Sequence, residues 1–318
     1  MISSHRQNEL LERASQLRTC IVAPRTKLCY RTGYNKFLAF LREMEYHGDP
    51  NDLKPGDAQI FIPWLQDQKL TFFTIRSYVS GVKYYFSQND WTNIWDTKEV
   101  KETLRGLERE IGHLTEHRRL PIEPEQVRRL VAQFDTEQLP AMMYRAFFLV
   151  MYAGMFRCSD MLHMVAENVI RINDGVKIII AKSKTDQVAT GDSVILKCLG
   201  DTEVCPVTAL FHYMDSCGIT AGPLFILGDE LGKEPENRRS VSYASVTRQL
   251  HAALETTGIP CIEKLGTHSF RIGAATAAAR NGVPERVIQR HGRWLSDRVR
   301  LYIRESIEEI SVASQNIF

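Results

Sequence analysis

The sequence predicts a mainly α-helical protein with one small three-stranded antiparallel sheet. Three observations lead to this prediction. Apolar residues recur at helical spacing through most of the 318-residue chain. The region from about residue 168 to about residue 199 instead shows short apolar runs separated by turn signals, which is typical of strands. A polar stretch without apolar periodicity, residues 112–121, is typical of a linker between two domains.

The first predicted domain, residues 1–111, consists of helices. The segment YRTGYNKFLAFLREM places four apolar side chains on one helical face, and VKETLRGLEREIGHL forms a further amphipathic helix. Prolines and a glycine between residues 50 and 56 mark the gap before the next helix. That helix, TFFTIRSYVSGVKYYFSQ, is expected to bury Phe73, Ile75, Tyr78, Val79 and Val82.

The second predicted domain, residues 122–318, is mostly helical and contains the sheet. The stretch PAMMYRAFFLVMYAGMFRCSDMLHM is predicted to be one long apolar helix at the core, which Gly154 ends or kinks. The segments NVIRI, NDG and VKIII predict a hairpin, and SVILKCL predicts a third strand. Helices are predicted to resume at PVTALFHYMDSC, YASVTRQLHAAL, AATAAARNG, PERVIQRHG and SDRVRLYIRESIEEI.

Composition favours an intracellular protein without a membrane segment. No apolar run approaches the roughly 20 residues of a membrane helix, and the N-terminus lacks the apolar core of a secretory signal. The compartment would be the nucleus in a eukaryote, or the cytoplasm, with its nucleoid, in a prokaryote. Seven cysteines without a CxxC pair give little support to disulfides or a zinc site, and we expect no metal ion or other cofactor.

Two basic segments are concealed by a net charge of only +2. Residues 1–42 carry eight basic and two acidic side chains, and residues 264–304 carry nine basic and two acidic ones. Such segments are often simply solvated helix faces. They are also the kind of surface that meets the phosphate backbone of a nucleic acid.

Several polar residues lie in unusual places in the second domain. Arg157 follows the most hydrophobic stretch and needs a partner or an anion if it is buried. Asp160, three residues later, can brace it, and such an ion pair is also the purely structural explanation. His268 and Arg271 share one face at the start of a helix, where free N–H groups favour an anion. The other members of the set are Lys184 in a turn, Trp294 and Tyr302.

This set is suited to opening a phosphodiester. Two guanidinium groups can hold one phosphate and stabilise the charge that develops on it. The hydroxyl of Tyr302 can act as a nucleophile if His268 accepts its proton, and Lys184 can protonate the departing 5′ oxygen. The resulting phosphotyrosyl bond would let the strand be rejoined without ATP.

The same segments resemble the tyrosine recombinase family, also called phage integrases. HSFRIGAATAAARNGVPERVIQ resembles the HxxR helix of its Cre-type members, and RVRLYIRE resembles the nucleophile helix. YAGMFRCSDML resembles the segment with the first arginine, and IIIAKSKTDQ resembles the lysine hairpin. The HSFR and GRW segments are most similar to recombinases of eukaryotic mobile elements, such as DIRS-like and Crypton elements.

The resemblance implies roles for individual residues. Tyr302 would be the nucleophile, and Arg157 and Arg271 would bind the scissile phosphate. His268 would be the general base, and Lys184 the general acid. Trp294 would contact the phosphate, and Asp160 would support the site. Two alternatives stay open, because Lys182 competes with Lys184 and the spacing to the tyrosine lets His291 compete with Trp294.

The resemblance also implies an architecture and partners. Residues 1–111 would be a core-binding domain that clamps duplex DNA together with the catalytic domain. Two or four protomers would act on paired sites, with the tail 305–318 as one means of self-association. Two rival functions stay open: DNA relaxation like that of type IB topoisomerases, and DNA binding without catalysis by a protein derived from a mobile element.

Overall fold

The computed structural model describes residues 4–19, 21–112, 119–180, 192–295 and 297–303. The chain forms two compact units, Met1–His117 and Arg118–Phe318. In the described ranges it contains α-helices and one three-stranded antiparallel sheet, which confirms the predicted fold class. No helix in these ranges is both long enough and apolar enough to cross a bilayer.

The first unit is a helical domain with an aromatic core. The rings of Phe37, Phe61 and Phe86 meet the Trp95 ring edge-on, with centroids 5.3 to 5.9 Å apart. Edge-to-face contacts of this kind add to the stabilisation that burial gives. The helices are α1 (Ser4–Thr19), α2 (Pro24–Glu43), α3 (Pro55–Asp67), α4 (Phe72–Gln88) and α5 (Lys98–Ile111).

Two details of this unit differ from the sequence prediction. Helix α3 was not predicted, because Pro55 and Gly56 suggested a gap; Pro55 instead occupies the first turn, where a missing N–H costs nothing. Phe73 was assigned to the buried face of α4, and it is 59% exposed. Its neighbour Phe72 takes the core position, and adjacent residues on a helix cannot share a face.

The second unit surrounds a larger apolar core built on α7. Its sheet has the order β1-β2-β3, with Ile170 opposite Lys177 and Lys177 opposite Ile195 on neighbouring strands. The strands are β1 (Val169–Ile172), β2 (Gly175–Ile180) and β3 (Asp192–Lys197). The helices are α6 (Pro124–Val131), α7 (Ala141–Ala153), α8 (Cys158–Leu162), α9 (Pro206–Ser216), α10 (Tyr243–Thr256), α11 (Thr267–Arg280) and α12 (Glu285–Gly292).

The single long apolar helix predicted before the sheet is in fact two helices. Gly154 follows the end of α7, as predicted, and its N–H donates to Val150 O. Met155 then adopts a left-handed backbone conformation with φ of 47°, and Arg157 precedes α8 as its N-cap residue. In the resulting turn, residues 154–157, the carbonyls of Gly154 and Met155 accept hydrogen bonds from Arg271 on α11 and from Arg293 after α12.

The last residues of the predicted linker, and Ile122 directly after it, form hydrogen bonds with the main chain of the second unit. The Leu120 N–H donates to Lys264 O at 3.2 Å, and the Ile122 N–H donates to Ser269 O at 3.2 Å. Ile122 is fully buried, and the main chain of α11 passes so close that a side chain at Gly273 would overlap the Ile122 carbonyl. Gly273 therefore permits close contact between this segment and α11.

We expect Gly273→Ala to destabilise the second unit by about 1 to 3 kcal/mol, the usual cost of overpacking a filled site. Gly106→Ala is the matched control, because a Cβ there meets no atom within 4 Å. Alanine at this exposed position in α5 should stabilise that helix by about 1 kcal/mol. Calorimetric melting of both variants tests the prediction. Equal shifts in the same direction would contradict it.

Candidate active site

The turn 154–157 places Arg157 at the edge of a largely buried cluster of side chains. The other members of this cluster are Asp160, His268, Arg271, Arg293, Trp294 and Tyr302. Asp160, whose side chain is 3% exposed, accepts a hydrogen bond from the Arg157 N–H at 3.3 Å. The same carboxylate lies 3.9 Å from Arg157 Nη1. Asp160 thus fixes both the backbone and the guanidinium of Arg157, and the arginine side chain remains 16% exposed.

Helix α11 brings Arg271 into the centre of this cluster. The side chain is completely buried, and it donates to the carbonyls of Met155 and Gly292, the second at 2.5 Å. Its guanidinium carbon lies 4.1 Å from the centroid of the Trp294 ring and 5.4 Å from that of Tyr302. Arg271 therefore joins the turn after α7 to the end of α12, and it contacts two aromatic rings.

Tyr302 follows a 3₁₀ turn, Asp297–Leu301, and its half-buried ring lies over the same cluster. The ring centroid is 5.2 Å from that of His268 and 4.8 Å from that of Trp294. The Tyr302 carbonyl accepts a hydrogen bond of 3.1 Å from the hydroxyl of Thr276 on α11. Backbone and ring are thus both held against the helix that carries His268.

Trp294 and His291, the two candidates for the predicted contact with the phosphate, lie in different places. Trp294 is 7% exposed, and its ring centroid lies 4.1 Å from the Arg271 guanidinium carbon and 4.8 Å from the Tyr302 ring centroid. The Nε2 of His291 instead lies 2.8 Å from Ala153 O. Of the two, only Trp294 contacts the Tyr302 ring within the described part of the chain, and this geometry favours Trp294 for the predicted contact.

Other predicted residues fall outside the described ranges. Lys184 and Lys182 both lie between β2 and β3 in residues 181–191, and the tail 305–318 follows the last described residue. Their predicted roles stay predictions.

The cluster carries more positive than negative charge. Burial, together with the nearby positive charges of Arg157 and Arg293, lowers the pKa of Arg271 to about 9. Burial also lowers the pKa of Arg293 to about 10, with Arg157 adding to the effect and Asp160 opposing it. An anion bound among these groups would relieve this repulsion.

Unused hydrogen-bond donors point to the same conclusion. Four buried side-chain nitrogens of the cluster have no hydrogen-bond partner among the described residues: Arg157 Nη1, Arg271 Nε, Arg293 Nε and Trp294 Nε1. Buried donors without partners are rare in folded proteins, and several together indicate a place for an acceptor. A phosphate oxygen is such an acceptor.

Comparison with known families agrees with this geometry. The model of the phage integrase family matches residues 121–308, which include the whole cluster. The chain belongs to the phage integrase family.

The similarity of this phage integrase chain to an individual curated relative is modest. An integrase/recombinase XerD homologue of Selenomonas ruminantium is 28% identical over 222 residues, which cover 68% of this chain and 62% of that protein. The chain thus spans less than two thirds of the length of this curated relative.

Solved structures share the fold. The Tn1549 transposon integrase in complex with a circular intermediate DNA gives a TM-score of 0.63 at 14% identity, covering 96% of this chain and 98% of that one. The XerH recombinase bound to its palindromic substrate gives 0.62 at 14% identity, with 92% and 79% covered. A lambda integrase dimer bound to a core site gives 0.60 at 14% identity, with 93% and 77% covered.

One residue of the cluster was not predicted as a site residue in this phage integrase chain. Arg293 is 7% exposed, and its guanidinium lies 4.5 Å from the Phe156 ring centroid. In the sequence, Arg293 is only one of the nine basic residues of the segment 264–304. One feature of the sequence could have indicated Arg293: it immediately follows the end of a predicted helix, and glycine is the common residue at that position.

His291 makes the stability of this phage integrase domain sensitive to acid. Burial lowers the pKa of His291 below its ordinary value of 6.5, and the charges of Arg293 and Arg271 lower it further. The unfolded chain therefore binds this proton more readily, and stability falls as the pH drops below 6.5. We expect wild type to lose more stability between about pH 7 and about pH 5 than His291→Gln, which does not titrate. Urea unfolding of both proteins measures this, and equal losses would contradict it.

Proposed function

We propose that this protein is a site-specific DNA recombinase that cuts and rejoins DNA strands through a 3′-phosphotyrosyl intermediate on Tyr302. One observation carries the proposal: the centre of the Tyr302 ring lies within 5.4 Å of the His268 ring, the Trp294 ring and the Arg271 guanidinium, in a cluster where Arg157, Arg271 and Trp294 each have a buried nitrogen without a hydrogen-bond partner in the described ranges. A nucleophile next to a base and a cationic anion-binding cluster is suited to attack on a phosphodiester.

The proposed reaction assigns a task to each group. The Tyr302 oxygen attacks the phosphorus and gives its proton to His268, while the bond from phosphorus to the 5′ oxygen breaks. Lys184 gives a proton to that departing oxygen, with Lys182 as the alternative donor. Arg157 and Arg271 stabilise the charge on the phosphate. The number of phosphoester bonds is unchanged, so a second 5′ hydroxyl can reverse the step without ATP.

Supporting groups would hold these side chains in place. Trp294 packs against Arg271 and directs its free indole N–H to the phosphate. Asp160 holds Arg157 through its backbone N–H and its guanidinium. The surplus positive charge of the cluster favours binding of the scissile phosphate over binding of a neutral group.

Duplex DNA and further copies of the chain are the proposed partners. The Tn1549 integrase and XerH structures contain DNA, and the lambda integrase structure is a dimer on a core site. We propose the same arrangement for this chain, with residues 1–111 as the core-binding domain, residues 112–121 as the linker and residues 122–318 as the catalytic domain. Its two basic segments would meet DNA phosphates, so affinity should fall steeply with salt.

A nicked suicide substrate tests the chemistry. After cleavage, a short strand end diffuses away and cannot rejoin, so the covalent protein–DNA adduct accumulates. We expect the purified protein to select such an adduct from a pool of nicked duplexes with randomised arms. The selected site, placed on two separate duplexes, should then yield joined strands between them. Relaxation of supercoils without such joining would favour a topoisomerase, and no adduct from the pool would favour a non-catalytic DNA-binding protein.

A further inference from the structure

We infer that Arg293 is a positioning residue of the proposed cleavage site. It connects the turn that carries Arg157 to the end of α12, directly before Trp294. The inference rests on the proposed function, because its effect is on strand cleavage, and it concerns a residue for which neither the sequence motifs nor the family match supplies a role.

Arg293 connects two segments through main-chain carbonyls. Its Nη1 donates to Gly154 O at 3.2 Å and to His291 O at 2.9 Å, and its Nη2 donates to Met155 O at 3.2 Å. Only the planar guanidinium fork presents enough donors, in a fixed geometry, to reach all three carbonyls at once. The side chain is therefore a buried brace between the end of α7 and the end of α12.

The backbone of Arg293 has an unfavourable conformation for an arginine. Its φ of 59° lies in the left-handed region. The Trp294 N–H donates to Gln289 O, and the Arg293 N–H donates to Arg290 O, which is the hydrogen-bond pattern of a Schellman helix end. Glycine is the usual residue at this position, because it has no Cβ to strain. Arginine there indicates that the side chain has a use beyond ending the helix.

The acceptor at the centre of the brace also belongs to the proposed phosphate site. Met155 O accepts from Arg293 and from Arg271, and Met155 has a left-handed φ of 47°. This conformation directs the carbonyl toward both guanidiniums. Two residues later in the chain, Arg157 leaves the same turn, so loss of Arg293 would loosen the segment that sets its position.

We assign Arg293 an action through other residues and not as a phosphate ligand. Both of its terminal nitrogens already donate to carbonyls, its guanidinium lies against the Phe156 ring, and its Nε is the one nitrogen of the group without a hydrogen-bond partner in the described ranges. Arg157 Nη1, in contrast, has the Asp160 carboxylate 3.9 Å away and no hydrogen-bond partner in the described part of the chain. The expected effect of removing Arg293 is therefore a misplaced Arg157 and Trp294, and not a lost phosphate contact.

The test uses Arg293→Gly and Arg293→Lys in the full chain, with the suicide substrate that wild type selects. Single-turnover cleavage at saturating DNA should fall by about 100-fold in both, the size of loss that a misplacement of about 1 Å can cause. The dissociation constant for DNA should stay within about threefold of wild type, since phosphate contacts elsewhere supply most of the affinity. Added guanidinium ion should partly restore cleavage by Arg293→Gly.

Arg238→Lys is the matched control. Its guanidinium also donates to two main-chain carbonyls, those of Lys233 and Leu231, and it lies outside the cluster. We expect its cleavage rate to equal that of wild type.

The outcomes separate the inference from the function on which it rests. Wild-type cleavage together with unchanged rates for both Arg293 variants would overturn the inference alone, and the residue would then be only a helix end. An Arg293→Gly protein that melts at or above the wild-type temperature yet cleaves slowly would support it strongly. No adduct from wild type would overturn the proposed function and this inference together.

Discussion

Tyr302→Phe is expected to abolish the covalent protein–DNA adduct. The substitution removes only the phenolic oxygen, which is the proposed nucleophile, and keeps the ring that packs against Trp294 and His268. Removal of a nucleophile lowered the turnover of subtilisin by about a millionfold, so cleavage here should fall below detection. Denaturing electrophoresis of the suicide-substrate reaction measures the adduct directly.

The variant should remain folded and should still bind DNA. Its melting temperature should stay close to that of wild type, because no described hydrogen bond involves the Tyr302 side chain. Tyr152→Phe is the matched control. Tyr152 packs against the same group of buried apolar residues as Tyr302, and its hydroxyl has no hydrogen-bond partner among the described residues. Adduct formed by Tyr302→Phe but not by Tyr152→Phe would mean that the nucleophile had been assigned to the wrong residue.

Arg271→Lys is expected to cause the second largest loss of strand cleavage, after Tyr302→Phe. A lysine keeps one positive charge, but it cannot donate to both Met155 O and Gly292 O while it faces a phosphate. Removal of a single donor to a developing negative charge commonly costs about 100- to 1,000-fold in rate. We expect a loss in this range for single-turnover cleavage, together with a lower melting temperature, because buried carbonyls lose their donor.

Arg145→Lys provides the comparison for Arg271→Lys. The Arg145 guanidinium is partly buried and, like that of Arg271, donates to two carbonyls, those of Val131 and Glu203, but it lies outside the cluster. We expect this variant to lose stability and to keep its cleavage rate. If Arg271→Lys and Arg145→Lys lower the rate equally, the loss comes from the fold and Arg271 has no special part in the reaction.

Most of the secondary structure could be predicted from the sequence, because the apolar spacing of each element is regular. The hairpin of β1 and β2 and the third strand lie where NDG and the short apolar runs placed them. Helix α3 was missed for a physical reason: proline and glycine usually interrupt helices, and here Pro55 begins one. Phe73 shows a second limit, since the apolar pattern of α4 did not determine which of two adjacent phenylalanines is buried.

The candidate site could be predicted only in part. Arg157, His268, Arg271, Trp294 and Tyr302 were selected from their chemistry, their placement in the sequence and the resemblance to tyrosine recombinases, and the structure places them in one cluster. Arg293 was not selected, because its contacts depend on two turns that meet only in the fold. The same holds for Thr276, whose hydroxyl bonds the Tyr302 carbonyl from within an alanine-rich helix. Such contacts depend on tertiary geometry, and no local pattern indicates them.

The segment that enters the second unit has a mechanical consequence. The Arg119 side chain donates to Glu263 O and Leu265 O, and the next residues bond Lys264 O and Ser269 O. Tension applied to the chain from its N-terminal side would therefore act through these bonds on residues 263–269, the segment that leads into the first turn of α11. That turn carries His268 and leads directly to Arg271, so a pull on the polypeptide would act where the proposed base and phosphate ligand begin.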